Sequence, residues 1–141
     1  MDHRTQRFVA IYNEIDKYCL GKLASIYTED ISFVDPFHKI QGLDALTSYF
    51  QGLYENVSEI EFLVTNAYQV DDVSFIYWTM SYQHPKLNGG KIIEVDGHSR
   101  LSFIGEKVAQ HRDYFDSAQM LYRQVPLLGG VIRLLDKRIT A

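Results

Sequence analysis

The sequence predicts an α+β fold: three N-terminal helices packed on the concave face of a curved antiparallel sheet, closing a cone, with a helical tail at the C-terminus. Three observations carry this expectation. Up to about residue 57, apolar side chains recur at three- and four-residue spacing, the period of an amphipathic helix. Beyond it come four runs of 10–13 residues rich in β-branched and aromatic side chains, separated by short turn-prone breaks. The chain has 141 residues, enough for one core and too few for two.

Each element has its own signal. In the first helix Phe8, Ile11, Tyr12, Ile15 and Tyr18 form one stripe, with Thr5 as the expected N-cap. Leu20–Tyr27 reads as a second short helix with Leu20, Leu23, Ala24 and Tyr27 on one side. ISFVDP then turns to β-type residues and stops at Pro36, which biases Asp35 towards an extended backbone. A third helix is expected from Asp44 to Asn56, with Leu46, Tyr49, Phe50, Leu53 and Tyr54 inward. The strands IEFLVTNAYQV, VSFIYWTMSYQH, KIIEVDGHSRLSF and KVAQHRDYFD are punctuated at Asp71-Asp72, Pro85–Gly90 and Ile104–Glu106, which implies a meander covered by the helices. In the tail, 117–141, Pro126 and Gly129-Gly130 should break the helix into two short ones. Its apolar side chains are too many for a free tail, since burying each is worth roughly 1.5–3 kcal/mol. The segment is therefore expected to dock, on the open end of the cone or against a second copy.

Composition excludes several classes. Hydrophobic residues make up 46% and charged residues 23%, which is globular and not disordered. No apolar run approaches the roughly 18–20 residues of a membrane span, and MDHRTQRFVA does not read as a signal peptide. The single cysteine, Cys19, fits a reducing cytosol and a small buried hydrophobe. A net charge of −4 argues against a nucleic-acid partner, and a membrane partner is not expected. Phosphate-loop, dinucleotide, CxxC and Gly-x-Ser-x-Gly signatures are absent, and no cofactor is implied.

Two constellations carry chemistry. With Ile31 and Phe33 on one face, alternation puts Asp35 inward at the end of its strand, where a carboxylate suits a general base. As an alternative, Asp35 before Pro36 is a turn residue. In the last strand one face reads Ala109, His111, Asp113 and Phe115, and the other Val108, Gln110, Arg112 and Tyr114. His111 and Asp113 on an otherwise apolar face suit a polar pair inside a pocket. His38, after the Asp-Pro turn, could line the pocket mouth or be simply solvated, and His98 is expected on a polar outer face. Trp78, Met80 and Tyr82 share one strand face and, with Tyr12, Tyr49, Tyr54 and Phe115, could wall an apolar pocket or simply form the core. Asp35, His38, His111 and Asp113 are metal-ligand types, but no local ligand spacing supports a metal.

The stretch LASIYTEDISFVDPFHKIQGLDALTSYF, the later W-x-M-x-Y strand and the strand ending HRDYFD resemble the ketosteroid-isomerase, SnoaL-like polyketide-cyclase and nuclear-transport-factor-2-like superfamily over about residues 5–118. The resemblance implies the cone fold and a small-molecule pocket. It also implies Asp35 as a catalytic base, because isomerases of this superfamily use the Asp of the same Asp-Pro dipeptide, and Asp113 as the acid/base of the cyclases. The isomerase oxyanion positions depart: the helix tyrosine falls on Ile11, beside Tyr12, and the late-strand acid on Gly97 or Ser99. The expected function is a small-molecule-binding protein, a cofactor-independent isomerase, cyclase or hydrolase acting on an apolar carbonyl or epoxide compound. The alternative is a non-catalytic ligand-binding or interaction module. The uncovered sheet face is expected to form a homodimer.

Overall fold

In a computed structural model of the chain, the structure describes residues 2–140, apart from the side chain of residue 58. The ends of the expected 1–141 domain, residues 1 and 141, lie outside the described residues. The elements are α1 (His3–Tyr12), α2 (Leu23–Ile26), β1 (Tyr27–Val34), β2 (Lys39–Gln41), α3 (Leu43–Asn56), β3 (Ser58–Val70), β4 (Val73–Gln83), β5 (Ile93–Ile104), β6 (Lys107–Phe115), α4 (Ser117–Met120) and α5 (Leu128–Thr140). One six-stranded sheet has the order β2-β1-β6-β5-β4-β3. Strands β3 to β6 form the expected antiparallel meander, while β1 joins β6 in parallel. The α+β architecture is as the sequence predicts. No helix is long and apolar enough to cross a membrane among the described residues.

The core lies between sheet and helices, where Phe8, Leu23, Ile26, Leu46 and Phe50 meet Phe33, Ile76, Trp78, Val95 and Leu101. Several boundaries differ from the sequence expectation. Asp2, not Thr5, caps α1: its carboxylate accepts from the backbone N–H of Arg4 and Thr5. Thr5 is buried one turn in and bonds Gln69 and Ser74 instead. The stripe ends with the helix at Tyr12. Ile15 is still buried, but Tyr18 is 84% exposed. Leu20–Tyr27 is a 3₁₀ turn, Leu20–Lys22, then the four-residue α2, and Tyr27 already opens β1. Cys19 is half-buried and polar in its contacts, its thiol donating to the Glu14 carbonyl at 2.9 Å.

A bulge in the β5–β6 pair corrects the face assignment of β6. Ser102 pairs with Gln110, but Phe103 pairs with Val108, so Ala109 is the extra residue. Val108, expected outside, is therefore fully buried, while His111, Asp113 and Phe115 keep the inward phase. In the tail, α4 and a 3₁₀ turn, Tyr122–Gln124, precede α5. The helix breaks before Pro126. Gly129 and Gly130 sit inside the first turn of α5, where a Cβ on Gly129 would stand 2.4 Å from the Arg123 carbonyl.

Candidate active site

The site is built on neighbouring strands of the sheet. His111, on β6, is 3% exposed. Its Nε2 lies 2.6 Å from Asp113 Oδ1, and its Nδ1 lies 2.7 Å from the Tyr27 hydroxyl. A carboxylate only accepts, so Nε2 carries the proton, and in the neutral ring Nδ1 accepts from Tyr27. Burial, with the Asp113 and Tyr54 charges behind it, holds the Tyr27 phenol well above the usual tyrosine range, so it stays a donor. Asp113 Oδ1 also accepts from Ser99 Oγ at 2.5 Å, and Ser99 Oγ accepts from Trp78 Nε1 at 2.8 Å. The chain Tyr27–His111–Asp113–Ser99–Trp78 thus runs across β1, β6, β5 and β4, and every proton in it points towards Asp113. No hydrogen bond to Asp113 Oδ2 is found among the described residues.

This carboxyl stands on the wall of a cavity of about 30 Å³, between α1 and the sheet, with Phe8, Tyr12, Phe62, Trp78 and His111 around it. Such a volume holds one or two waters. A second cavity of about 40 Å³ is lined by Tyr54, Met80, Tyr82 and Met120, and shares Tyr12 and Phe62 with the first. The Tyr12 and Phe62 rings meet edge to face at 5.3 Å. Burial comes first, and the Tyr27 and Asp113 charges next, in raising the Tyr12 phenol well above its ordinary range. Burial pushes Tyr54 and Tyr82 up to about 12.

Asp35 belongs to a second cluster. Its side chain is 4% exposed. Oδ1 accepts from the backbone N–H of Phe37 at 2.8 Å and of His38 at 2.7 Å, and pairs with His38 Nδ1 at 3.2 Å. Oδ2 accepts from the Tyr49 hydroxyl at 3.1 Å. That is the bonding of a turn cap. Burial and the Asp35 carboxylate raise the Tyr49 phenol. Phe33 stands between the clusters, its ring 4.8 Å from His111 and 5.8 Å from Tyr49. His38 is at the surface of its turn, its side chain 46% exposed.

The structure therefore brings Tyr12, Trp78, His111 and Asp113 to one cavity, and Tyr12, Tyr54, Met80 and Tyr82 to the other. Phe115 packs between Trp78 and Phe37. Asp35, His38 and Tyr49 line neither. Sequence reasoning missed Tyr27, Phe62 and the hydrogen-bonding part of Ser99. The alternation of β3 could have found Phe62. Tyr27 was hidden by the unexpected end of α2. Gly97 has a local reason: a Cβ there would stand 2.4 Å from Trp78 Cη2. Among the described residues, no group of three or more His, Cys, Asp or Glu side chains is placed to hold a metal ion.

The profile of the SnoaL-like domain matches residues 5–111, and the chain belongs to that family. No curated protein matches it. Solved structures share the fold. A protein with a ketosteroid-isomerase-like fold from Catenulispora acidiphila, solved with trimethylamine, superposes with a TM-score of 0.76 at 15% identity, over 89% of this chain and 95% of that one. A protein of the nuclear-transport-factor-2-like fold from Burkholderia pseudomallei, of unknown function, gives 0.76 at 13% identity over 89% and 99%. A candidate SnoaL-like polyketide cyclase from Shewanella putrefaciens gives 0.69 at 19% identity over 85% and 94%.

Proposed function

We propose that this chain binds a small molecule in the Asp113 cavity and acts on it by cofactor-independent general acid–base chemistry, as an isomerase, cyclase or hydrolase of an apolar carbonyl or epoxide compound. One observation carries the reading: Asp113 lines the largely apolar cavity with one oxygen fixed by Ser99 and His111, and its other oxygen has no hydrogen bond among the described residues. A carboxyl so placed can take a proton from a bound molecule and return it elsewhere. His111 orients it, and Tyr12, which lines the same cavity, is the candidate donor for a ligand oxygen. Asp35 serves from behind, holding Tyr49 and His38.

A second reading is a non-catalytic ligand-binding module. The small cavity favours it, since a ligand must displace Tyr12 or Phe62, and so does Asp35, whose oxygens are both engaged. The trimethylamine in the Catenulispora protein is a ligand of the size such a module would take. In either reading the uncovered sheet face, with Leu63, Tyr68, Tyr77 and Tyr114 exposed, is the homodimer surface, and the single cysteine supports a cytoplasmic setting.

A panel of small carbonyl compounds and epoxides tests the chemistry. The expected result is turnover that Asp113→Asn reduces at least a hundredfold, the lower range for one acid–base group, while binding persists. Binding without turnover in the native chain selects the module. Turnover unchanged in Asp113→Asn overturns the proposed role.

A further inference from the structure

The cavity has the make-up of a cation cage. Phe62 stands at 71° to Tyr12 and at 85° to Trp78, with ring centroids 5.3 and 5.5 Å apart, so it packs edge to face with both, and all three rings line the cavity. Phe8 continues the Tyr12 wall by stacking on it at 5.4 Å. Against these walls, among the described residues, lies one carboxylate, Asp113, and no lysine or arginine lines the cavity. Its side chain is 14% exposed, and its partners Ser99 and His111 bond only Oδ1. An anion beside aromatic faces is unfavourable with a neutral apolar guest and favourable with a cationic one, since ring faces and carboxylate both attract positive charge.

We infer that the Asp113 cavity selects a small alkylammonium group, with Tyr12, Phe62 and Trp78 as the cage and Asp113 Oδ2 as counter-ion. The inference rests on the reading of this cavity as a ligand site and takes its second form, the ligand-binding module, further: the guest is a cation in place of a neutral carbonyl or epoxide compound. A cavity of about 30 Å³ holds a water or two as it stands, so a compact methylated ammonium enters only when Tyr12 and Phe62 part and join it to the neighbouring space of about 40 Å³.

Trp78 is the only tryptophan in the chain and is 6% exposed, so its fluorescence reports this cavity directly. The test titrates the full chain with trimethylammonium chloride and, separately, with tert-butanol, a neutral molecule of similar size, at constant ionic strength. The expected result is a saturable change in Trp78 emission, with the ammonium at least tenfold tighter than the alcohol. Asp113→Asn, whose amide oxygen can still accept from Ser99 and His111, should bring the two affinities within about twofold. Phe62→Leu should weaken the ammonium alone, which keeps the test decisive if the first variant does not fold. Equal affinity of the two probes in the native chain, or a preference that survives both variants, overturns the cation class and leaves the ligand site standing. No response of Trp78 to either probe overturns the cation class, and with it the ligand site.

Discussion

Asp35, expected as the last residue of its strand, falls one residue past the end of β1, and Asp113 lies on β6; both are inward carboxylates, yet their surroundings divide their work. Asp35 is engaged by the backbone of its own turn and by Tyr49; Asp113 lines the cavity with both of its hydrogen bonds on Oδ1. Asp35→Ala should therefore cost stability, about 1–2 kcal/mol for a lost cap, and leave trimethylammonium binding within twofold. Chemical denaturation paired with the Trp78 titration checks this; unchanged stability with lost binding would reverse the two roles. Gly97→Ala is the complementary case. The new methyl meets Trp78 Cη2 at 2.4 Å and the Tyr114 carbonyl at 2.7 Å, so over-packing should cost about 1–3 kcal/mol and shift Trp78 emission. Unaltered emission and melting would show that the strand yields instead. At this scale strand alternation made His111 and Asp113 legible. The other end of their hydrogen-bond chain was not, because a helical reading of Leu20–Tyr27 hid the strand phase of Tyr27.

Elements were legible where a pattern was long. The four long strands and α3 fall within about two residues of their sequence positions. The misses are short or irregular: the three-residue β2, the four-residue α2 and the bulge at Ala109 each fix a local geometry that no period of 2 or 3.6 announces. In the tail the proline break was legible, and what the tail covers was not. α5 meets its own chain through the preceding 3₁₀ turn, with Arg123 2.7 Å from Asp136, and exposes Val131, Leu134, Leu135 and Ile139. We propose that this face docks on a second copy. A chain ending at residue 125 should then melt within a few degrees of the full chain, because α5 buries little within its own chain, while self-association weakens. Association unchanged by the truncation sinks the docking. Two core-facing tyrosines, Tyr27 fully buried and Tyr12 partly so, test the cone as a unit. Tyr12 and Tyr27 have raised folded pKa values, so their contribution to stability is complete below the ordinary tyrosine value of about 10 and is lost as pH rises above it. Their ionisation, followed at about 295 nm, should coincide with loss of circular dichroism on alkaline titration. Ionisation in the folded state would mean that the cavity admits water freely.

The whole molecule presents a charge-segregated outer sheet face. Across β4, β5 and β6, one row sets Tyr77 beside His98 and His98 beside Tyr114. Those rings stack at 5.1 and 4.8 Å, and Tyr68 meets Tyr77 edge-on. On one side of this belt lie Glu94 and Asp96, with Asp96 held by Thr79 at 2.7 Å. On the other lie Arg100 and Arg112, cross-strand neighbours of like charge with Arg112 over the Tyr114 ring at 4.8 Å. Paired arginines opposite each other are unfavourable in one sheet and favourable against an acidic partner. A second copy turned half a revolution about an axis through the belt lays its Glu94 and Asp96 on Arg100 and Arg112, and the same contact forms twice. This is the register we propose for the homodimer. Asp96→Arg should turn dimer into monomer by setting like charges face to face, and Arg100→Asp should do the same. The double exchange should restore the dimer, because each copy then offers the reversed complement. Analytical ultracentrifugation at micromolar concentration and moderate salt reads all three. A native chain sedimenting as a single 16.4 kDa species removes the dimer altogether. Single variants that remain dimeric keep an assembly but remove this register.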